Sequence, residues 1–402
     1  MHDRDPWSLD RRRFLGRSIG LAASALWFAS CGGGAGEAES ADLVLPDGLV
    51  PDDFLVHGTN PWTIETKRAR LSGGITPTKH VFVRANLPMP EASILDDRSA
   101  WSVDVEGVAQ PKTLTLAELQ ALGSETVVSV LQCSGNGRRF FDHGPSGSPW
   151  GVGAAANVEW TGVPVRAVFD ALGGAAEGMR FLTGTGGEPL PEGLDPRQIV
   201  VERSVPLAKG LADAILAWEM NGEPVPLTHG GPLRLVVPGY YGVNSVKYVK
   251  RLAATADESD AKIQVSSYRV RPIGETVEPG DPSMWEMNVK SWVDAPLGDA
   301  PVDAGPVQVT GVAFSGGTPI DAVEVTTDGG ATWSAAELSG DDLGPFAWRV
   351  FSFAWNATSG SHTIACRARD ASGAEQPEMP NPNERGYAHN GWRDPSVTVR
   401  VV

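Results

Sequence analysis

A chain of 402 residues with a formal net charge of −16 is long enough for two ordinary cores and too acidic for a general nucleic-acid binder. Its 47 glycines and 31 prolines divide it into short apolar runs, the texture of a β-rich, loop-rich protein. Of its three cysteines none stands in a C-x-x-C-H arrangement, so no covalently attached haem is expected.

The N-terminus reads as an address. Asp10-Arg11-Arg12-Arg13-Phe14-Leu15-Gly16 precedes an apolar segment, residues 19–30, that is too short to span a bilayer comfortably. The pattern resembles a twin-arginine export signal; a basic N-terminus that happens to precede an apolar stretch is the alternative. That route carries folded proteins, so it suits one that loads a cofactor before export to the periplasm or another extracytoplasmic space. Phe28-Ala29-Ser30-Cys31-Gly32 resembles a lipoprotein processing site, with Phe28 where leucine is commonest. Lipidation of Cys31 and ordinary cleavage both stay open, and acyl chains on Cys31 would be the chain's one membrane contact. Residues 1–31 are thus expected to be the signal and 32–60 a flexible stalk or linker.

Residues 61–271 mix strands and helices. A short helix is expected over 114–122, opened by Thr113 or Thr115, and another over 163–172, closed by Gly173-Gly174. Residues 126–131 and 233–237 read as strands, and 200–217 as a mixed stretch. The segment 272–282, rich in Pro, Gly and acid, reads as a linker. Beyond it short alternating runs recur at 307–314, 322–327, 348–355, 362–368 and 396–401, which is the form of an immunoglobulin-like sandwich over 283–402. In one of these runs Ile364, Cys366 and Ala368 share a face opposite Arg367 and Arg369, so Cys366 is expected to be a buried core thiol.

The chemistry concentrates at Cys133-Ser134-Gly135-Asn136-Gly137-Arg138-Arg139, where a strand runs into a glycine-punctuated turn. A thiolate is a soft metal ligand, nearby cations favour that thiolate, and the glycines let backbone pass close to a bulky group. A disulfide with Cys366 is the structural alternative.

These residues, with Trp150-Gly151-Val152-Gly153, Glu159-Trp160-Thr161-Gly162-Val163-Pro164, Met220-Asn221-Gly222-Glu223-Pro224, His229-Gly230-Gly231-Pro232-Leu233-Arg234 and Ser245-Val246-Lys247-Tyr248, resemble the sulfite oxidase family of molybdenum enzymes. Thr310-Gly311-Val312-Ala313-Phe314 and Asp328-Gly329-Gly330-Ala331-Thr332-Trp333 resemble that family's dimerisation domain. The resemblance runs from about Phe82 to Trp392. It implies an α+β protein, with a molybdopterin-binding domain over 61–271 and the sandwich making a homodimer. It also implies that Cys133 is the thiolate on molybdenum, and that Arg84, Asn86, His229, Arg234, Ser245 and Lys247 hold the molybdopterin. A substrate pocket is implied at Arg84, Arg138, Arg349, Trp150 and Tyr268, where three guanidiniums would draw in a small oxyanion despite the acidic whole. The implied reaction is oxidation of sulfite to sulfate, with electrons leaving to a separate periplasmic c-type cytochrome. A molybdopterin-dependent reductase of sulfoxides such as oxidised methionine and a non-catalytic, lipid-anchored binding protein are the alternatives. Vertebrate-like members carry His where this chain has Asn86 and Arg where it has Asn244, two departures that each remove positive charge near the site.

Overall fold

The structure, a computed structural model, describes residues 43–402 apart from residue 279. The twin-arginine motif and Cys31 therefore lie outside the described residues, all of which fall within one contact unit, Ser40–Val402. Among the described residues no helix is long and apolar enough to cross a membrane.

Folding begins earlier than the composition of 32–60 suggests. Leu45, Leu49 and Phe54 are buried against Ile64 and Val83, and strand Phe54–Thr59 pairs antiparallel with Trp62–Thr66. That strand pairs in turn with Val83–Arg84, which carries Arg84 into the molecule. The expected stalk is corrected here: its described part belongs to the domain, because three apolar side chains find a cluster to enter.

Two sheets make the body of the first domain, the first wholly antiparallel and the second mixed through one parallel pairing, Ser102–Glu106 with Val249–Thr255. In one, the order is Glu223–Pro224, Ile215–Met220, Ala155–Pro164 and Glu125–Gln132, with Arg234–Val236 also pairing with Ile215–Met220. In the other, the order is Lys112–Thr115, Ser102–Glu106, Val249–Thr255, Phe181–Gly186 and Glu202–Pro206. The helix expected near 114–122 spans Leu116–Gln120, with Thr115 and Glu118 bonding reciprocally as a capping box. The next spans Val165–Ala171 and is followed by Gly173 and Gly174, both at positive φ. The mixed stretch resolves into strand Glu202–Pro206, helix Leu207–Asp213 and the start of strand Ile215–Met220.

The linker closes on itself: Val270 N–H donates to Pro282 O, and Met284 N–H donates to Tyr268 O. The C-terminal part is a sandwich of two four-stranded sheets. One runs Lys290–Ala295, Gly305–Phe314, Arg349–Ala357, Glu337–Ser339; the other runs Ser334–Ala335, Ile320–Thr326, Gly360–Asp370, Val397–Val401. Strand Lys290–Ala295 escapes the pattern reading because Lys290, Ser291 and Asp294 are all buried, so polarity does not alternate along it. Cys366 lies in the sandwich core and its thiol donates to Ser291 Oγ at 3.3 Å. Burial pushes that thiol up to about 12.

The two parts share a core. Val130, Val152 and Tyr241 of the first pack with Met287, Trp292, Phe314 and Trp348 of the second. Hydrogen bonds cross the seam: Val130 N–H to Phe346 O at 2.9 Å, Trp348 Nε1–H to Gly73 O at 2.8 Å, and Arg68 Nε–H to Val293 O at 2.6 Å.

Candidate active site

Strand Glu125–Gln132 is exposed where it begins and buried where it ends, so it delivers Cys133 into the interior. Cys133 N–H donates to Ala154 O at 2.9 Å, extending the pairing with the neighbouring strand by one residue. Asn136 then closes the turn: its backbone N–H donates to Cys133 O at 2.9 Å and its side-chain amide to Gln132 Oε1 at 3.1 Å. Its side-chain oxygen accepts from Ala154 N–H at 3.1 Å. Glycine at 137 is a requirement, because φ is +98° and a Cβ there would lie 2.5 Å from the His389 ring.

The sandwich holds the far side of this loop. Lys290 Nζ donates to Asn136 O at 3.0 Å, and Ala388 N–H donates to Ser134 O at 2.9 Å. Cys133 and Cys366 are both free thiols, which removes the disulfide alternative.

Cys133 opens onto a cavity with about 710 Å³ of empty space, counting its mouth. Arg84, Asn86, His229, Arg234, Ser245, Lys247 and Tyr268 line it together with Cys133. These residues come from strand ends and turns, the Arg84 segment 47 to 49 positions before Cys133 and the others 96 to 135 positions after it.

Three expected residues lie elsewhere. Trp150 is fully buried, edge-on to the rings of His57 at 5.3 Å and Phe82 at 6.2 Å, so it backs the wall that Phe82 presents. Arg138 stands one layer behind Gly135. It donates through Nε to Arg385 O at 2.9 Å and through Nη1 to Ser148 O at 3.0 Å, and its guanidinium lies 5.3 Å from the Tyr387 ring centre. Arg349 is a plain correction. Trp348 turns into the seam, strand alternation sends Arg349 the other way, and its guanidinium pairs with Asp342 at 3.1 Å.

The cavity floor is cationic and poorly compensated. Arg234 is buried, donates through Nη1 to His229 O at 2.7 Å, and is pushed down to about 10 by burial. Lys247 donates to Thr228 O and is pulled down to about 7, first by burial and then by Arg234. Burial, with Lys247 and Arg234 beside it, holds His229 well below the usual histidine range. The Tyr268 hydroxyl donates to Asn86 Oδ1 at 3.3 Å, and its ring stacks on Tyr387 with centres 5.4 Å apart. Burial raises this phenol while Arg84 opposes, so it stays protonated and able to donate near neutral pH.

Sequence reasoning missed several participants. Glu188 lines the cavity and is raised to about 7 by burial; the Gly186-Gly187-Glu188 strand exit was the available signal. Ser134 also lines it. Lys290 and Tyr387 carry no local signal, since both arrive from the sandwich. At Asn244 the missing family charge stands next door: the side-chain oxygen of Asn244 accepts from Arg203 Nε at 3.3 Å and Nη2 at 3.2 Å.

The residues fit a molybdopterin. Arg234 Nε and Ser134 Oγ are buried without a hydrogen-bond partner among the described residues, so the cavity wall offers donors awaiting acceptors. Among the described residues no cluster of three or more His, Cys, Asp or Glu could hold a metal ion by itself. One soft thiol beside a tray of buried cations therefore suits a metal whose remaining ligands belong to an anionic organic group.

Comparison with known proteins agrees. Residues 87–263 match the oxidoreductase molybdopterin binding domain, and residues 281–400 match the Mo-co oxidoreductase dimerisation domain. The chain is 34% identical to sulfite oxidase of Gallus gallus over 339 residues, covering 79% of this chain and 72% of that protein. It is 31% identical to the mitochondrial sulfite oxidase of Mus musculus over 386 residues, covering 90% and 68% respectively. The solved structure of the sulfane dehydrogenase SoxCD from Paracoccus pantotrophus superposes with a TM-score of 0.72 at 25% identity, covering 93% of this chain and 96% of that one.

The buried lysines imply a pH dependence for the cofactor-free protein. Lys247 and Lys290 both fall to about 7 on folding from an ordinary 10.5. Between these values the unfolded chain binds more protons, so stability rises with pH across that window. Glu188 acts in the opposite sense only below about 7. The melting temperature of cofactor-free protein is expected to climb by roughly 5 °C from pH 7 to pH 9, and by less in Lys247→Met. Thermal circular dichroism checks this; a flat profile would show that these ammonium groups are not desolvated.

Proposed function

The chain belongs to the sulfite oxidase family of molybdopterin oxidoreductases, and from that premise we propose that it oxidises sulfite to sulfate and passes two electrons to a separate c-type cytochrome. The observation that carries the reading is the convergence of Cys133, Arg84, Arg234, Lys247 and Tyr268 on one cavity whose buried donors lack acceptors.

The molybdenum cofactor, when bound, supplies oxygen-atom transfer and stores the two electrons. The chain's residues do the rest. Cys133 offers its thiolate to the metal from a loop braced on both sides. Arg234 and Lys247 set a positive floor with the neutral His229 ring beside them, and Ser245 fixes the adjoining turn by accepting Val237 N–H at 3.1 Å. Arg84 faces the cavity, and Arg138 adds its charge from behind, so a sulfite dianion meets one guanidinium directly and feels the field of a second in a partly desolvated space. Tyr268, protonated and oriented by Asn86 and Tyr387, offers a hydroxyl to the oxygen of the reacting anion.

A sulfane-sulfur substrate is the second reading, favoured by the near-complete structural overlap with the sulfane dehydrogenase. The sandwich at 281–400 favours either oxidation over sulfoxide reduction, because the sulfoxide reductases of this superfamily generally lack that domain. The same domain supports a homodimer. The Arg11-Arg12-Arg13 run ahead of the short apolar segment supports export by the twin-arginine route to the periplasm, with a lipid anchor where Cys31 is acylated.

Steady-state oxidation of sulfite with ferricyanide or cytochrome c tests the reading against a sulfane-sulfur compound, and against dye-driven reduction of methionine sulfoxide. Turnover of the sulfoxide alone would overturn it. Cys133→Ser is expected to abolish turnover while leaving the melting profile of the cofactor-free protein unchanged. Tyr268→Phe, which removes one donor to the reacting anion, is expected to lower kcat by about 100-fold. Arg349→Ala is expected to change kcat/KM by less than about twofold, since Arg349 does not line the cavity and the pair it loses is with Asp342; a large loss would return Arg349 to the pocket.

A further inference from the structure

Arg203 belongs to no motif, yet it is among the most completely buried side chains of the fold, at 1% exposure. It leaves edge strand Glu202–Pro206 and reaches three other segments at once. Nε and Nη2 donate to the side-chain oxygen of Asn244, at 3.3 and 3.2 Å. Nη1 donates to the carbonyl of Ile263 at 2.8 Å, in helix Lys262–Val265. Its guanidinium carbon lies 5.9 Å from the centre of the Tyr268 ring.

We propose that Arg203 is a positioning residue that locks the cofactor-side turn Gly242–Asn244 to the Tyr268 side of the cavity. The proposal rests on the reading of Tyr268 as the hydroxyl facing the reacting anion.

Packing alone does not account for this residue. Among the described residues no carboxylate forms an ion pair with Arg203, and both its hydrogen-bonded acceptors are neutral. Glu258, the nearby acid, is engaged with Arg269 at 2.6 Å. A buried cation without an anionic partner is costly, and an apolar side chain of similar length fills such a space at less cost. What offsets the cost is the geometry that a planar, five-donor fork imposes on its neighbours.

That geometry extends into the site from both ends. Asn244, gripped through its oxygen, donates its amide to Tyr241 O at 3.0 Å and Met284 O at 2.8 Å. Ser245 and Lys247, which follow it, line the cavity. On the other side Tyr268 adopts φ +52°, a backbone region that a tyrosine holds only when its surroundings impose it. One ring face has Tyr387 stacked on it, its hydroxyl is tied to Asn86, and Met284 N–H caps its carbonyl at 2.9 Å. Met284 thus bonds to both Asn244 and Tyr268, and Arg203 touches the same two residues. The turn that carries the cofactor-facing side chains and the residue that carries the hydroxyl are therefore held as one rigid unit.

The test compares Arg203→Met and Arg203→Lys with wild type, using kinetics on cofactor-loaded enzyme and hydrogen–deuterium exchange on cofactor-free protein. Arg203→Met is expected to lower kcat about tenfold with KM moved less than about threefold, because the hydroxyl is misplaced while the anion still binds. Exchange should quicken in residues 241–247 and 266–270 and stay unchanged in sandwich strand Gly305–Phe314. Arg203→Lys, which keeps a donor and the charge but loses the planar fork, should recover only part of the kcat. Should Arg203→Met not fold, Arg203→Gln, which keeps a donor for the buried oxygens, replaces it. Wild-type kcat with wild-type exchange in both segments would overturn the proposal. So would a uniform rise in exchange across the chain without rescue by Lys, which would make Arg203 a structural residue only. Failure of the sulfite reading would appear as absent turnover in the wild type and would leave the exchange comparison intact.

Discussion

The structure depends on burying positive charge without burying the negative charge to match it. Arg234, Lys247, Arg203 and Lys290 all lie at or behind one cavity, and burial pulls every one of them below its ordinary titration range. Their hydrogen bonds run largely to backbone carbonyls, of His229, Thr228, Ile263 and Asn136. A carbonyl satisfies a donor but does not neutralise a charge, so the electrostatic cost of these cations persists in the folded chain. An anionic cofactor is the group that offsets it. The acidic remainder of the molecule contributes little inside, because exposed charges are screened over about 8 Å at physiological salt.

This constraint explains why the two domains share a core. A cavity thiol beside desolvated cations keeps its direction only on a loop that is braced on every side. Strand Glu125–Gln132 supplies one side of that loop and Asn136 closes it, but the other side is the sandwich, through Lys290 and Ala388. Tyr387 of the same domain stacks on Tyr268 and lies under Arg138. The C-terminal domain therefore forms a supporting wall behind the site, bracing residues that line the cavity without lining it itself, in addition to any role between subunits. Val130, packed among Trp292, Phe314 and Trp348, ties the strand that delivers Cys133 to that wall.

Much was legible in advance, and the legible parts have local causes. The capping box at Thr115 and Glu118 lies within four residues, and the burial of Cys366 follows from alternation along one strand. Cys133, His229, Ser245 and Lys247 sit in glycine-marked turns near strand ends, where a side chain outside the ladder is free to face a ligand, and Arg234 opens the strand that follows one such turn. The readings that failed needed information from elsewhere. The stalk was misjudged because Leu45, Leu49 and Phe54 matter only beside Ile64 and Val83. Arg349 was misplaced because its direction depends on how Trp348 docks across the seam.

The sequence by itself determined the family, the thiol that opens onto the cavity, and the change from a mixed domain to a sandwich. It could do so because motif spacing and residue period express contacts within single elements. Only the tertiary structure decided how positive charge is distributed around the site. Arg203, Lys290 and Tyr387 reach it from a strand, a domain and a loop between 70 and 254 positions away from Cys133. A charge buried through such contacts leaves no periodic trace in its own neighbourhood, because its partners are backbone atoms and rings far along the chain. The position that looked like a lost charge, Asn244, is the oxygen that holds the charge supplied by Arg203.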